Sequence, residues 1–233
     1  ARNYCGYHPG VDGVFADAVN DLLACGAVIV DDLDLTPMTD IRPSETIVMA
    51  TEFKAGLNKY LSKRQVASCV KSLADIIEFN SANADTVLPW FQQELLEMAQ
   101  DTTGLDDSLY VEALAKCQTL SRKGGIDRLM SEHRLDAIVA PTTCTPWLID
   151  WVNGDNRSGG SAGPAAVSSY PSVTVPMGYV QGLPVGISIF ASQWCDALVL
   201  SYAHTYEQYS RRRRAPGFFR KPLASKSDPR HIC

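Results

Sequence analysis

Residues 170–190 read YPSVTVPMGYVQGLPVGISIF, and this stretch determines the fold class. Two runs rich in β-branched residues, at 172–175 and 183–190, are separated by the glycine-containing segment 178–182. Such runs joined by a glycine turn predict an antiparallel β-hairpin. A further apolar run at 137–140 (AIVA) predicts a third buried strand.

Around these strands the apolar residues recur with helical spacing. Residues 11–23 place apolar side chains at i, i+3, i+4 and i+7 and are followed by Gly26, which predicts a helix. The AVIV run at 27–30 then predicts a short buried strand. Residues 41–132 are mostly helical in pattern, whereas residues 135–210 read as strand, loop, hairpin and helix. The sequence therefore predicts an α/β protein with a mixed sheet covered by helices.

Composition and charge argue against a membrane-spanning protein and against a nucleic-acid-binding protein. The 233 residues are 45% hydrophobic and 20% charged, as in globular proteins, and no apolar run approaches the length of a membrane helix. Net charge is −5, but residues 211–233 carry eight basic residues and one acid, leaving 13 basic and 25 acidic residues elsewhere. An acidic body disfavours nucleic-acid binding. The four arginines at 211–214 read as a helix end rather than a polyanion site, and residues 215–233 as a mobile basic tail.

The cysteines indicate the redox environment. There are seven, widely spaced and without a C-x-x-C pair, so neither a disulfide scaffold nor a zinc site is predicted. Small buried thiols are typical of a reducing compartment, and a cytoplasmic location is the default expectation. Because the chain begins at Ala1 without a signal-peptide pattern, we expect a processed, truncated or partial chain.

A long polar and glycine-rich loop at 142–163 is the first candidate for a functional site. It follows the end of a predicted strand, where α/β sheets place their ligand crevices. Two tryptophans beside hydrogen-bonding side chains suit a pocket for an amphipathic small molecule. The alternative is a surface loop held in place by its tryptophans.

Two further interpretations place a nucleophile in the same loop. The Ser-Gly-Gly-Ser stretch at 158–161 could lie near backbone N–H donors, as acyl transfer requires, but no histidine or lysine neighbours it in sequence. A hydrogen-bonding or flexible turn is therefore favoured. Cys144 could act as a thiolate with His133 or His204 as its base, although such a cysteine is more often inert. Three lysines lie in helical patterns and are expected to point to solvent: Lys54, Lys71 and Lys116.

The order of several motifs resembles the C-terminal part of the amidase signature family. These motifs are EFKAGLNKYL at 52–61, LADIIEFN at 73–80, LDAIVAPT at 135–142, DWVNGD at 150–155, SAGPAAV at 161–167, YPSVTVP at 170–176, GLPVGIS at 182–188 and AHTYEQ at 203–208. The resemblance covers nearly all of residues 1–214. It is closest to the branch of bacterial and fungal amidases that includes peptide amidase.

The resemblance implies an α/β/α fold and hydrolysis of carbon–nitrogen amide bonds by a serine–serine–lysine triad, without metal or cofactor. In the family the triad precedes the matched region, so no catalytic residue is transferred to this chain. A substrate-pocket role is transferred to Asp150, Asn153, Ser158 and Ser161.

Residues 1–214 are accordingly interpreted as the C-terminal portion of one amidase domain. We expect its partners to be a small-molecule amide and the missing N-terminal half of the fold, and the chain alone to be inactive. The alternative is a catalytically inactive truncated chain or binding module.

Overall fold

The computed structural model describes residues 1–64 and 70–217, so most of the predicted tail at 215–233 lies outside the described residues. In chain order the elements are a 3₁₀ turn Arg2–Tyr4, α1 Pro9–Ala24, α2 Met38–Ser62, α3 Leu73–Ala82, α4 Ala84–Val87, α5 Glu94–Gln100, α6 Ser108–Gln118, a π-helical segment Thr119–Ile126, α7 Asp127–Glu132, β1 Ile138–Pro141, α8 Ala162–Ser168, β2 Ser172–Val180, β3 Leu183–Phe190 and α9 Asp196–Ser210. Within the described ranges, no helix is long and apolar enough to cross a membrane.

The sheet has three strands in the order β1-β3-β2 and confirms the predicted hairpin. Both pairings are antiparallel, and Phe190 lies opposite Ile138 on β1 and Ser172 on β2. The turn is tighter than the sequence predicts, because β2 continues to Val180. Only Gln181 and Gly182 turn the chain, with φ angles of 51° and 82°, which is the two-residue turn that best matches strand twist.

One face of the sheet forms the larger core with α1 and α9. Val11 and Phe15 of α1 and Tyr206 of α9 are buried there against Met177 and Ile187 of the hairpin. The apolar period of residues 11–23 thus faces the sheet, as predicted. Burying side chains of this size contributes about 1.5–3 kcal/mol each relative to exposure.

The opposite face is covered at one end only. Ile138, Ala140 and Phe190 pack there against Leu129 of α7 and Ala165 of α8. Helices on both faces of a small sheet confirm the α/β class. All pairing in the described sheet is antiparallel.

The prediction of a strand at residues 27–30 is wrong. This segment forms no ladder with any residue that the structure describes, and Val28 is 90% exposed. The apolar run is typical of a strand, yet a strand also needs a hydrogen-bonding neighbour. The described residues supply none at this edge, and the parallel pairing expected of a mixed sheet is missing for the same reason.

The prediction for Lys54 is also wrong, whereas Lys71 and Lys116 are exposed as expected. The Nζ of Lys54 donates to the carbonyl oxygens of Gln100 and Thr102 at 2.6 and 2.7 Å. These carbonyls lie at the C-terminal end of α5, where a helix leaves acceptors without partners. Lys54 therefore joins α2 to the end of α5.

The arginine run begins at the end of α9, as predicted, but its members are not all solvated. Arg211 is the left-handed C-cap residue. Arg212 pairs with Asp21 of α1 at 2.9 Å, and Arg214 lies 5.0 Å from the ring centroid of Tyr179 on β2. These contacts connect the end of α9 to α1 and β2.

Candidate functional site

The candidate site is the loop of residues 142–161, here called the site loop, which begins where β1 ends. Its two ends are paired: Thr143 and Gly160 form an isolated antiparallel bridge, and the Ser161 amide donates to the Thr142 carbonyl at 3.0 Å. The Thr142 amide donates to the Gly186 carbonyl of β3 at 2.7 Å. The middle of the loop projects from a base that is fixed to the sheet.

Three hydroxyl groups lie together at this base. The Thr142 hydroxyl is 2.6 Å from that of Thr174 and 2.9 Å from that of Ser188. These side-chain hydrogen bonds connect the start of the site loop to β2 and β3. Gly186 leaves the necessary room, because a Cβ there would lie 2.8 Å from the Thr174 oxygen. The sequence analysis missed this cluster. Its only signal is a hydroxyl residue on each hairpin strand amid apolar neighbours.

Ser161 is buried at the end of the site loop. It is 1% exposed and its hydroxyl donates to the Pro141 carbonyl at 2.7 Å. This hydrogen bond holds the start of α8 against the end of β1. Ser158 lies at the other side of the same turn, is exposed, and is hydrogen-bonded to the Cys144 sulfur. Within the described chain, neither of these two serine hydroxyls is hydrogen-bonded to a basic side chain.

Cys144 is a buried thiol inside the site loop, 2% exposed. Burial raises its pKa, but hydrogen bonds from Ser158, Gly159 and Thr143 outweigh that effect, so the pKa lies below its ordinary value. In the described chain these partners include no histidine. The pairing of Cys144 with His133 or His204 therefore has no geometric support here.

Asp150 and Asn153 form a compact turn at the exposed tip of the site loop. Asp150 accepts hydrogen bonds at 2.9 Å from the backbone amides of Val152 and Asn153 and from the Asn153 side chain. The backbone and side-chain bonds from Asn153, followed by that from Val152, lower the pKa of the carboxyl. The tip thus presents a fixed, ionised carboxylate beside an amide group.

An exposed aromatic cluster meets the tip of the loop. The Trp151 ring lies 4.8 Å from that of Trp90 and 5.5 Å from that of Phe91, which precede α5. Trp90 and Phe91 are 67% and 70% exposed. The sequence analysis missed both as site residues, because the spacing of Phe91 with Leu95 and Met98 is that of a helix. Exposed apolar surface of this kind marks a ligand or partner.

The Ser-Gly-Gly-Ser turn rests on Tyr7. A Cβ at Gly159 would lie 2.3 Å from the Tyr7 ring, so only glycine permits this approach. The buried Tyr7 hydroxyl has no hydrogen-bond partner among the described residues, and burial raises its pKa. Glycine at 159 is therefore explained by packing against Tyr7 and does not require a nucleophile at this turn.

Comparison with known proteins identifies the family. The family model for amidases matches residues 1–200, and the chain belongs to this family. A probable amidase from Arabidopsis thaliana is 33% identical over 200 residues, covering 83% of this chain and 35% of the relative. A glutamyl-tRNA(Gln) amidotransferase subunit from Pseudomonas aeruginosa is 28% identical over 225 residues, covering 90% of this chain and 44% of the relative. The chain thus spans less than half the length of these curated relatives.

Solved structures agree with the sequence comparison and confirm the resemblance to peptide amidase. Native peptide amidase from Stenotrophomonas maltophilia superimposes with a TM-score of 0.81 at 38% identity, over 89% of this chain and 41% of that one. The peptide amidase complex with the competitive inhibitor chymostatin gives a TM-score of 0.85 at 39% identity, over 91% and 42%. The amidase signature fold inferred from the sequence motifs is confirmed.

Proposed function

We propose that this chain is the C-terminal portion of an amide hydrolase and carries part of its substrate pocket. The family match over residues 1–200 carries the proposal. The serine–serine–lysine triad is assigned to a preceding N-terminal half, in keeping with the fraction of each relative that the chain covers. The reaction adds water across a carbon–nitrogen amide bond and releases a carboxylic acid and an amine or ammonia.

The site loop is proposed to bind and orient the substrate and not to attack it. Its paired ends fix the base, which limits the entropy lost on binding. At the tip, Asp150 and Asn153 offer polar groups beside the apolar faces of Trp151 and Trp90. Polar groups next to an aromatic surface suit a small amide that has an apolar side chain.

The four predicted pocket residues differ in whether they can contact a ligand themselves or only position other groups. Asn153 and Ser158 are exposed and can reach a ligand. Asp150 is bonded to Asn153 and sets its orientation. Ser161 is bonded to Pro141, so we propose that it shapes the pocket by fixing the loop end.

The proposal is tested by steady-state kinetics on a full-length protein that contains this chain. Asn153→Ala is expected to raise KM about two- to tenfold with kcat largely kept, because the loss of one hydrogen bond to a neutral substrate costs about 0.5–1.5 kcal/mol. Ser161→Ala removes the hydrogen bond to Pro141 that fixes the loop end, and it is also expected to raise KM with kcat largely kept. Asn156→Ala, on the same exposed loop, is the matched control and should change neither constant. Abolition of kcat by Ser161→Ala in a folded enzyme would make Ser161 catalytic and refute the proposal.

A further inference from the structure

The aromatic cluster of Trp90, Phe91 and Trp151 belongs to a wider exposed apolar surface. Leu148 and Val152, which lie on either side of Trp151 in the site loop, are 90% and 91% exposed. The contact between Trp90 and Trp151 joins this part of the loop to the segment that precedes α5. Single exposed apolar side chains are ordinary, but a group contributed by two distant segments marks a binding surface.

The chain that forms this surface is strongly acidic. Residues 72–115 contain nine aspartates and glutamates and no lysine, arginine or histidine. Glu94 lies at the start of α5, close in sequence to the two exposed rings. The site loop adds Asp150 and Asp155, with Arg157 as its one basic residue. Carboxylates beside an apolar surface create a negative potential that attracts cations.

The two carboxylates of the site loop are held in place by neutral donors. Asp150 accepts hydrogen bonds from the amides of Val152 and Asn153, and the Trp147 indole N–H donates to Asp155 at 3.0 Å. Among the residues that the structure describes, neither carboxylate forms an ion pair. Both therefore keep a full negative charge in a fixed position, which lowers the entropic cost of binding a cation.

The combination of ring faces and fixed carboxylates is selective among ligands. A guanidinium group is planar and weakly hydrated, so it stacks on a tryptophan face and can donate two parallel hydrogen bonds to a carboxylate. An anionic lipid surface would be repelled by the negative potential. A second copy of the same acidic surface would be repelled for the same reason.

We propose that the aromatic cluster and Asp150 together bind the guanidinium group of an arginine-like side chain in the substrate. Trp151 supplies the ring face, and Asp150, its neighbour in sequence, supplies the charge. This inference rests on the proposed function and names its substrate class, which is an amide that carries a positively charged guanidinium side chain.

The first test measures binding without hydrolysis on the 233-residue chain. The probes are butylguanidine and butylurea, which have nearly the same shape but differ in charge. NMR follows the indole N–H signals of the four tryptophans during each titration. Butylguanidine is expected to shift the Trp90 and Trp151 signals and to bind at least about fivefold more tightly than butylurea. Trp194 is the internal control, because it is 85% exposed and contacts no other aromatic ring among the described residues.

Two charge variants separate a specific contact from general attraction. Asp150→Asn keeps an oxygen that accepts from the loop amides, so it should keep the affinity for butylurea and reduce the preference for butylguanidine to less than about twofold. Asp17→Asn removes an exposed carboxylate of α1 and should leave the preference unchanged. Equal binding of the two probes, an unchanged preference in Asp150→Asn, or an equal response of Trp194 would overturn the inference.

The second test asks whether the guanidinium group belongs to a substrate. Steady-state kinetics on a full-length protein that contains this chain compare N-acetylargininamide with N-acetylcitrullinamide, its neutral isostere, and with a simple aryl amide. The arginine compound is expected to have a KM at least about fivefold lower than the citrulline compound, and Asp150→Asn should reduce this difference.

The kinetic outcomes distinguish this inference from the proposed function. Equal KM values for the two N-acetyl amides, or turnover of the aryl amide alone, would overturn the inference and leave the proposed function standing. Turnover of none of the three amides would refute the proposed function, and the guanidinium site would then be decided by the probe titration.

Discussion

At the scale of single residues, several polar side chains form hydrogen bonds that connect one element to another. Lys54 joins α2 to the end of α5, and Ser161 joins the site loop to β1. Asp127 of α7 similarly accepts hydrogen bonds from Tyr170 at 2.8 Å and Ser192 at 3.3 Å. Because the hydrogen-bond partners of these residues are distant in sequence, the sequence alone does not show whether such a residue is structural, catalytic or simply exposed.

Replacing Lys54 should reveal its structural role. Lys54→Met keeps the aliphatic stem but removes a charged donor to two carbonyls, so it should lower the free energy of unfolding by about 1–3 kcal/mol. Lys116→Met on the exposed face of α6 is the control and should stay within about 0.5 kcal/mol. Urea denaturation measures both. Equal effects would show that the Lys54 contacts are energetically unimportant.

The Arg2–Asp31 ion pair should make the free energy of unfolding depend on pH. The hydrogen bond from Arg2 lowers the pKa of Asp31 to about 2. The stabilisation is therefore complete above the unfolded pKa of about 4 and is lost as pH falls through about 2. Because both side chains are roughly half exposed, solvent screening limits the effect to about 1 kcal/mol or less.

Thermal denaturation of Asp31→Asn across pH checks this expectation. The variant should be slightly less stable than the parent chain at pH 7, and the difference should shrink as the pH falls towards 2. A difference that stays constant between pH 7 and pH 2 would assign the effect to packing instead of charge.

At the scale of elements, the site loop depends on the contact between its glycine turn and Tyr7. Gly159→Ala would force a Cβ into the Tyr7 ring and should destabilise the chain by about 1–3 kcal/mol. Tyr7→Ala removes the obstacle, so the double variant should lose less than the sum of the two single changes. Denaturation of all four proteins measures this coupling. Additive effects would contradict the proposed contact.

The elements differ in how far sequence could predict them. The hairpin was predictable because its β-branched runs and glycine turn are local signals, and α1 because its apolar period is complete. Residues 27–30 were wrongly predicted as a strand, since their apolar pattern is typical of one but no described residue pairs with them. The meeting of Trp151 with Trp90 also leaves no local signal, because the two residues are 61 positions apart and only the fold joins them.

At the scale of the whole molecule, the chain resembles one side of a larger enzyme. It superimposes on about two-fifths of peptide amidase while keeping its own core around β2, β3, α1 and α9. We propose that this side carries substrate-binding groups and that the nucleophile lies on the other side.

The most direct test of this division is ammonia release from simple aryl and peptide amides by the chain alone. We expect no turnover above the uncatalysed rate, because the described site loop contains no serine bonded to a base. The Ser158→Ala and Ser161→Ala variants serve as controls and should behave identically to the parent chain. Turnover that disappears in either variant would make that serine a nucleophile, and turnover that survives in both would reveal another one. Either result would contradict the assignment of catalysis to a region outside this chain.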